Sequence, residues 1–328
     1  FVEFMMPAST WYAALFGQKH ENIPKEIVES LEDLRSQNTY ASVMPLILAV
    51  LIKNQGRGES ARLLRLIAIL NFRVYVAQGV TARSDSGQGS LYDWAKFYYH
   101  GEWDEWVSTE PETVGNVTVD SQEKLLEWVL CDFIQGYSND EAFENSFYLP
   151  EGGNYDFYSW GGLRYFLMCY EAEIQPKKTI PIDRILLGRY DAKTNDYYSI
   201  EHVWARNNRN EEGQNNRPQD NWTKRRLGNF VLLEMGINIA AQDLDIEEKL
   251  KVYTKSQEPT DLQQVRLLAS DAKKALKADG YERQTKNRFY DLYSAICDAQ
   301  ESRFIEFSKK RWSIEGFICS DFDTQLEE

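Results

Sequence analysis

The sequence predicts a mainly α-helical protein in which one small strand–loop–strand–helix unit is embedded. Three observations lead to this prediction. Apolar residues recur every three or four positions in the first half and near the end of the chain, which is the period of an amphipathic helix. Two short segments between these parts are rich in β-branched and apolar residues. A long polar insert separates the two segments and has too few apolar residues to enter a core.

The first half is expected to consist of helices joined by short loops. The helical spacing is found around residues 46–51, 63–74, 92–99, 122–135 and 160–171. Glycine, serine and asparagine mark loops at 54–60 and 84–90. The aromatic-rich stretch 143–158 contains Pro150 and two adjacent glycines, and it is interpreted as an irregular connection.

The pattern changes near residues 177–181. Strands are predicted at 197–204 and 229–234, with the insert 207–221 as a surface loop between them. Helical spacing then returns in three segments, at 245–253, 265–277 and 289–312. We therefore expect a helical domain over 1–178 and a second domain over 179–328, which holds the strand unit and the C-terminal helices.

Composition limits the class of protein. Of the 328 residues, 43% are hydrophobic and 13% aromatic, which is enough for a buried core and excludes general disorder. No run reaches the roughly 18 apolar residues of a membrane span. The opening segment begins with Phe1 and lacks the basic region of a secretory signal, so an internal start within a longer protein is expected. The four cysteines are far apart without a CxxC pair, which disfavours a zinc knuckle or disulfide framework and fits a reducing cytoplasm.

Charge argues against strong binding to nucleic acid by this chain alone. The net charge is −14, and residues 1–178 hold 14 Lys and Arg against 25 Asp and Glu. Residues 179–256 are neutral, with 12 residues of each sign. Within that stretch the positive charges cluster at Arg206, Arg209, Arg217, Lys224, Arg225 and Arg226. The cluster is either a solvated surface or a patch that contacts one or two phosphates.

One of the three histidines has neighbours that suggest chemistry. His20 and His100 are interpreted as structural or solvated residues. His202 ends a β-rich segment and directly follows Glu201. A glycine-preceded Asn229 then opens the second strand, and Asn238 is expected just ahead of a helix. Imidazole has a pKa near 6.5, so it is partly neutral and can accept a proton at cellular pH.

This arrangement resembles the HNH or His-Me finger fold, in which a ββα-metal module holds one divalent ion. More specifically, the strings IEHVWAR, RRLGNFVLLEMGIN and EEKLKVYTKS resemble the C-terminal nuclease region of the GmrSD-type (type IV) restriction enzymes. The phosphorothioate-sensing defence nuclease SspE shares that region. The resemblance covers about residues 160–312, and it departs from the family at Ala205–Arg206, where the family has Pro–Gln.

The resemblance implies a metal-dependent DNA endonuclease of a bacterial restriction or anti-phage system. His202 would be the general base and Asn229 would orient the site, while Glu201 and Asn238 would bind Mg²⁺ or Mn²⁺. Carboxylate and amide oxygens suit such a hard ion. Four basic residues would contact DNA: Lys249, Arg225, Arg226 and Arg206. Two structural alternatives stay open, namely that Lys249 is a solvated helix residue and that Glu201 is a residue at the strand edge.

The expected partners are DNA, including modified phage DNA, and a nucleotide-hydrolysing domain that precedes this region in the family. No membrane partner is expected, and the protein is predicted to be cytoplasmic. Two alternatives remain at this point. One is a helical DNA-binding or regulatory module whose nuclease site has decayed, and the other is an enzyme that cuts RNA.

Overall fold

The computed structural model describes residues 2–17, 23–37, 39–77, 85–150, 155–175, 198–206, 218–255, 259–277 and 288–320. These residues are mainly helical, with a few short strands, which confirms the predicted helical class. The chain divides into two compact units, Phe1–Phe143 with Arg311–Glu328, and Glu144–Lys310. The sequence-based division into domains was placed between residues 178 and 179. Among the described residues, no helix has the length and apolar character needed to span a membrane.

The first unit is built from helices and one small hairpin. The helices α1 to α8 are Val2–Leu15, Lys25–Ser36, Met44–Asn54, Ser60–Leu70, Gln88–His100, Asp104–Thr109, Gln122–Ser138 and Asp140–Asn145. The strands β1 (Glu112–Val114) and β2 (Val117–Val119) pair antiparallel. The predicted loop at 54–60 is confirmed, because α3 ends at Asn54 and α4 begins at Ser60.

The core of this unit lies where α4 continues into a π-helix, Asn71–Ala77, whose residues are all buried. Arg73 is almost fully enclosed there, and its guanidinium donates to the Ser138 carbonyl and to Asp140 at 2.8 Å. The Phe72 ring stacks on Trp312 with centroids 3.7 Å apart. A buried cation paired in this way holds the end of α7 against the π-helix, since an unpaired charge in a core is costly.

The cysteines correct one expectation. The sequence disfavoured a disulfide framework, but the structure joins Cys131 of α7 to Cys319 in a disulfide, with Cα atoms 5.3 Å apart. The two residues are 188 positions apart, so spacing in the sequence gave no sign of the pairing. Cys169 and Cys297 lie outside this disulfide and are buried.

In the described part of the second unit there are six further helices and two strands. The helices α9 to α14 are Leu163–Ile174, Pro218–Arg225, Met235–Ala241, Ile246–Lys255, Gln263–Lys277 and Arg288–Arg311. The strands β3 (Tyr198–His202) and β4 (Phe230–Glu234) pair antiparallel, with Tyr198 opposite Glu234 and His202 opposite Phe230. The core side of this pair is set by β4, whose residues Phe230–Leu233 are all fully buried.

Several local predictions differ from the structure. The predicted loop at 84–90 ends early, because α5 begins at Gln88. The end of the predicted loop 207–221 is helical, because α10 begins at Pro218, while residues 207–217 lie outside the described residues. Asn238 was expected ahead of a helix, but it lies inside α11. The segment MGINIAA contains glycine and β-branched residues, which are poor helix formers, so its propensity gave a weak signal.

Candidate active site

The site is organised by the β3–β4 pair. His202 is the last residue of β3, and the pairing continues one step further, since the Val203 N–H donates to the Asn229 carbonyl at 2.9 Å. Successive side chains of a strand point to opposite faces. Glu201 and His202 therefore project to different sides of the hairpin.

Glu201 lies in a buried polar network with two residues of α12. Lys249 donates from Nζ to Glu201 Oε1 at 2.5 Å and to the His202 carbonyl at 2.6 Å. The Tyr253 hydroxyl donates to the same carboxylate oxygen at 3.0 Å. Lys249 and Tyr253 have no exposed surface, and Glu201 is 4% exposed. The network ties α12 to the end of β3 that carries His202.

Burial controls the protonation of this network. It raises the pKa of Glu201, against the opposing effect of the Lys249 ammonium, and it lowers the pKa of Lys249. Burial also holds the pKa of Tyr253 well above its usual value, so the hydroxyl remains a donor. Lys249 was expected to contact a DNA phosphate, but in this fold its ammonium is enclosed and paired with Glu201. The carboxylate of Glu201, expected to bind a metal ion, instead faces that ammonium.

Asn229 holds the backbone around the site. Its Oδ1 accepts from the Trp204 N–H at 2.6 Å, and its Nδ2 donates to the carbonyls of Trp204 and Lys224, at 3.1 and 2.8 Å. The side chain is completely buried. These bonds fix the turn that follows His202 and the end of α10, so Asn229 shapes the backbone on both sides of the hairpin.

Gly228, just before Asn229, lies against the backbone of α14. A Cβ atom there would lie 2.8 Å from the Cα of Cys297 and closer still to its carbonyl oxygen. The Gly228 N–H donates to Glu301 at 3.1 Å, and its carbonyl accepts from Gln300 at 2.6 Å. This position therefore admits only glycine without a shift of the helix.

The His202 ring packs against two aromatic rings. Its centroid lies 4.6 Å from that of Tyr158 and 5.0 Å from that of Phe230. The Nε2 atom is shielded from solvent and has no hydrogen-bond partner among the described residues. Burial, with the positive charges of Arg206 and Lys249, lowers the pKa of His202 to about 4. The ring is therefore neutral at neutral pH, and Nε2 is able to accept a proton.

Asn238 lines a cavity of about 410 Å³ beside the hairpin. Its Nδ2 donates to the Ser199 hydroxyl at 2.6 Å, which orients the amide. Tyr158 lines the same cavity and contacts the His202 ring, so it is the residue that links these two parts of the site. The whole lining consists of Tyr158, Arg164, Ser199, Ile200, Met235, Asn238, Ile239 and Gln242.

The basic residues that were expected to contact DNA differ in exposure and in their partners. Arg206 has a side chain that is 55% exposed, and it pairs with Asp156 at 2.5 Å. Arg225 is half-buried, and its Nε donates to the Asn221 carbonyl. Arg226 is buried and pairs with Glu301 and Asp298, which outweigh the effect of burial and raise its pKa. Arg206 and Arg225 therefore remain accessible, whereas Arg226 serves the packing of α14.

No group of three His, Cys, Asp or Glu residues with the geometry of a metal site occurs within the described ranges. Several residues of the site were not recognised from the sequence. Tyr158, Arg164 and Gln242 line the cavity, and Asp156 holds Arg206. Tyr158 and Asp156 fall in the stretch that was interpreted as an irregular connection, and only its high aromatic content marked it.

A comparison with models of protein families gave a match. Residues 137–288 match the family model of the C-terminal domain of GmrSD restriction endonucleases. This segment is similar to that family. The match confirms the resemblance seen in the sequence, and it covers both strands, the cavity and the Glu201 network. The family indicates a nuclease-related role in restriction and defence, with DNA as the substrate class. Searches of curated proteins and of solved structures gave no match.

Proposed function

We propose that this GmrSD-type domain is a metal-dependent DNA endonuclease of the HNH kind, acting in bacterial restriction or anti-phage defence. The observation that carries the proposal is the neutral Nε2 of His202 at the end of β3, which has no hydrogen-bond partner within the part of the chain that the structure describes. A buried polar atom without a partner is costly, and such atoms are frequently found at functional sites. The family match supplies the class of reaction.

His202 is proposed as the general base. Its Nε2 takes a proton from water, the water oxygen forms a bond to phosphorus, and the bond between phosphorus and the leaving oxygen breaks. The neutral ring suits this step, because a protonated imidazole has no lone pair to accept the proton. Since Nε2 is enclosed, we infer that the neighbouring Tyr158 ring moves when DNA binds.

Among the described site residues, a single oxygen of Asn238 is left for an ion, which would have to be held mainly by the substrate. Asn238 donates with its nitrogen to Ser199, which leaves its Oδ1 oxygen to face an ion. Glu201 does not fit as a ligand in this conformation, because Lys249 already neutralises its carboxylate. Mg²⁺ commonly uses few protein ligands and completes its shell with water and phosphate oxygens. Bound Mg²⁺ or Mn²⁺ would offset the charge that develops on the phosphate.

The remaining residues of the site position His202. Asn229 fixes the turn after β3, and Lys249 holds the His202 carbonyl while it neutralises Glu201. Arg206 and Arg225 are the candidates for phosphate contacts, which fits weak binding by an acidic chain. Recognition of modified phage DNA and coupling to a nucleotide-hydrolysing domain of the same protein are proposed from the family alone.

A plasmid-nicking assay tests the proposal. The wild-type protein is expected to nick supercoiled DNA in Mg²⁺ or Mn²⁺ and to be inactive in EDTA. His202→Ala should lower the nicking rate by about 10²–10⁴-fold, the usual contribution of a general base. His100→Ala is the matched control, since His100 is exposed on α5 and should leave the rate unchanged.

Three results would count against the proposal. A wild-type protein that nicks no DNA with either metal would favour a decayed binding or regulatory module. Cleavage of RNA in a parallel assay, with DNA left intact, would instead indicate a ribonuclease. If His202→Ala cuts as fast as wild type, the catalytic role of His202 is wrong.

A further inference from the structure

We propose that the cavity beside Asn238 binds one unstacked nucleobase of DNA, next to the phosphate that is cut. The inference rests on the proposed endonuclease function and adds a binding subsite to it. Its volume, about 410 Å³, lies in the range of pockets that bind small organic groups. The cavity lies wholly within the second unit, between β3, α11 and the turn that carries Tyr158.

The lining combines a stacking surface with polar groups. Tyr158 is 46% exposed, and Ile239 is 52% exposed, so both offer apolar surface to an occupant. Gln242 contributes an amide, and a glutamine amide can both donate to and accept from the edge of a base, as it does with adenine. An aromatic ring beside hydrogen-bonding amides matches the way in which proteins bind bases that have left the stack.

The position of Tyr158 connects the cavity to the reaction. The centroid of its ring lies 4.6 Å from that of the His202 ring, and the Arg206 guanidinium lies 5.1 Å from the Tyr158 centroid. A base bound against Tyr158 would therefore lie beside the proposed catalytic residue.

Backbone strain in Gln242 is a second observation at the same cavity. Gln242 ends α11 with a φ of 36°, in the region that favours glycine. Strained residues persist where the surrounding structure requires them, and they cluster at ligand sites. The strained residue therefore places its side chain in the wall of the cavity.

Arg164 provides a positive charge in the wall of the cavity. Its guanidinium donates to the Tyr198 carbonyl at 2.7 Å, which fixes it at the start of β3. A fixed guanidinium suits the phosphate of the bound nucleotide, because its planar donors match phosphate oxygens. The cavity thus offers contacts to both the base and the phosphate of one nucleotide.

The test measures binding without cleavage. A short single-stranded DNA carrying one 2-aminopurine is titrated with the full chain in EDTA, and quenching of the probe reports stacking. In the control, an abasic site replaces the probe base in an oligonucleotide of the same length. The wild type should bind the base-containing DNA about tenfold more tightly, the effect of one stacked base.

Tyr158→Ala should remove that tenfold preference and the quenching. Tyr148→Ala is the matched control, since Tyr148 is 47% exposed, lies in the same unit and is not part of the cavity. Gln242→Gly should keep or raise the melting temperature, because it relieves the strain, and should reduce the preference for the base-containing DNA. Equal affinity for the abasic DNA, or unchanged quenching in Tyr158→Ala, would overturn the inference.

The outcomes separate this inference from the proposed function. His202→Ala should still quench the probe, because the base lies on Tyr158 and no cleavage is involved. Quenching in a protein that nicks no plasmid would support the subsite and reject the endonuclease. Nicking without any preference for the base would support the endonuclease and reject the subsite.

Discussion

At the residue scale, Glu201 and Lys249 show that a motif can be recognised from the sequence while the contacts between its residues stay hidden. The two residues are 48 positions apart, and both belong to the strings that resemble the restriction enzymes. The sequence could not show that Lys249 points inward, because lysine side chains are usually solvated. In the structure, Lys249 and Tyr253 share one carboxylate oxygen of Glu201, which explains their spacing of one helical turn on α12.

This network predicts a large effect of removing Lys249. Lys249→Met leaves the buried Glu201 carboxylate without its cation, which typically costs about 3–5 kcal/mol of unfolding free energy. Urea unfolding followed by circular dichroism measures the loss. The double variant Glu201→Gln with Lys249→Met should be more stable than Lys249→Met alone, since no buried charge then lacks a partner.

The matched control for this experiment is Lys251→Met, on the same helix but exposed to solvent. It should change the unfolding free energy by less than about 0.5 kcal/mol, the usual range for surface substitutions. A loss from Lys249→Met no larger than that of the control would mean that the ion pair contributes little to the fold.

At the element scale, the hairpin and the long helices were predictable, whereas the short elements were not. The sequence placed strands at 197–204 and 229–234, and the structure has β3 and β4 within those limits. Periodic apolar residues revealed α12, α13 and α14, because each buries one face. The helix α11 and the cavity that it lines depend on contacts with β3 and β4, and a single sequence carries little trace of those.

A substitution of Gly228, directly before Asn229, tests the packing of the β3–β4 hairpin. Gly228→Ala places a methyl group against the Cys297 backbone of α14, and overpacking of this kind costs about 1–3 kcal/mol or more. Gly236→Ala in α11 is the control, because a Cβ there meets nothing within 4 Å, and alanine favours helix over glycine. Thermal unfolding of both variants compares them, and equal melting temperatures would contradict the close contact.

At the scale of the whole molecule, the chain builds one unit, leaves it at Phe143, and returns to it at Arg311 after completing the other. The returning segment is tied to the first unit by several different contacts. Arg311 pairs with Asp33 at 3.0 Å, and Cys319 forms the disulfide with Cys131. Ser320 accepts from the Trp128 indole at 2.9 Å. Position in the sequence alone could not assign residues 311–320 to this unit, because the contacts span almost the whole chain.

The division into two units predicts which unit is destabilised by a substitution of Trp312. Trp312 is 1% exposed and stacks on Phe72, so Trp312→Ala should cost about 3–5 kcal/mol, the usual cost of removing a buried large side chain. Hydrogen exchange followed by mass spectrometry should show faster exchange in the first unit, around α4 and α7, and little change in β3 and β4. Trp222→Ala is the control, because its indole donates to the Pro150 carbonyl within the second unit. If exchange in β4 accelerated as much as exchange in α4, the two units would unfold as one, because loss of Trp312 would then weaken both.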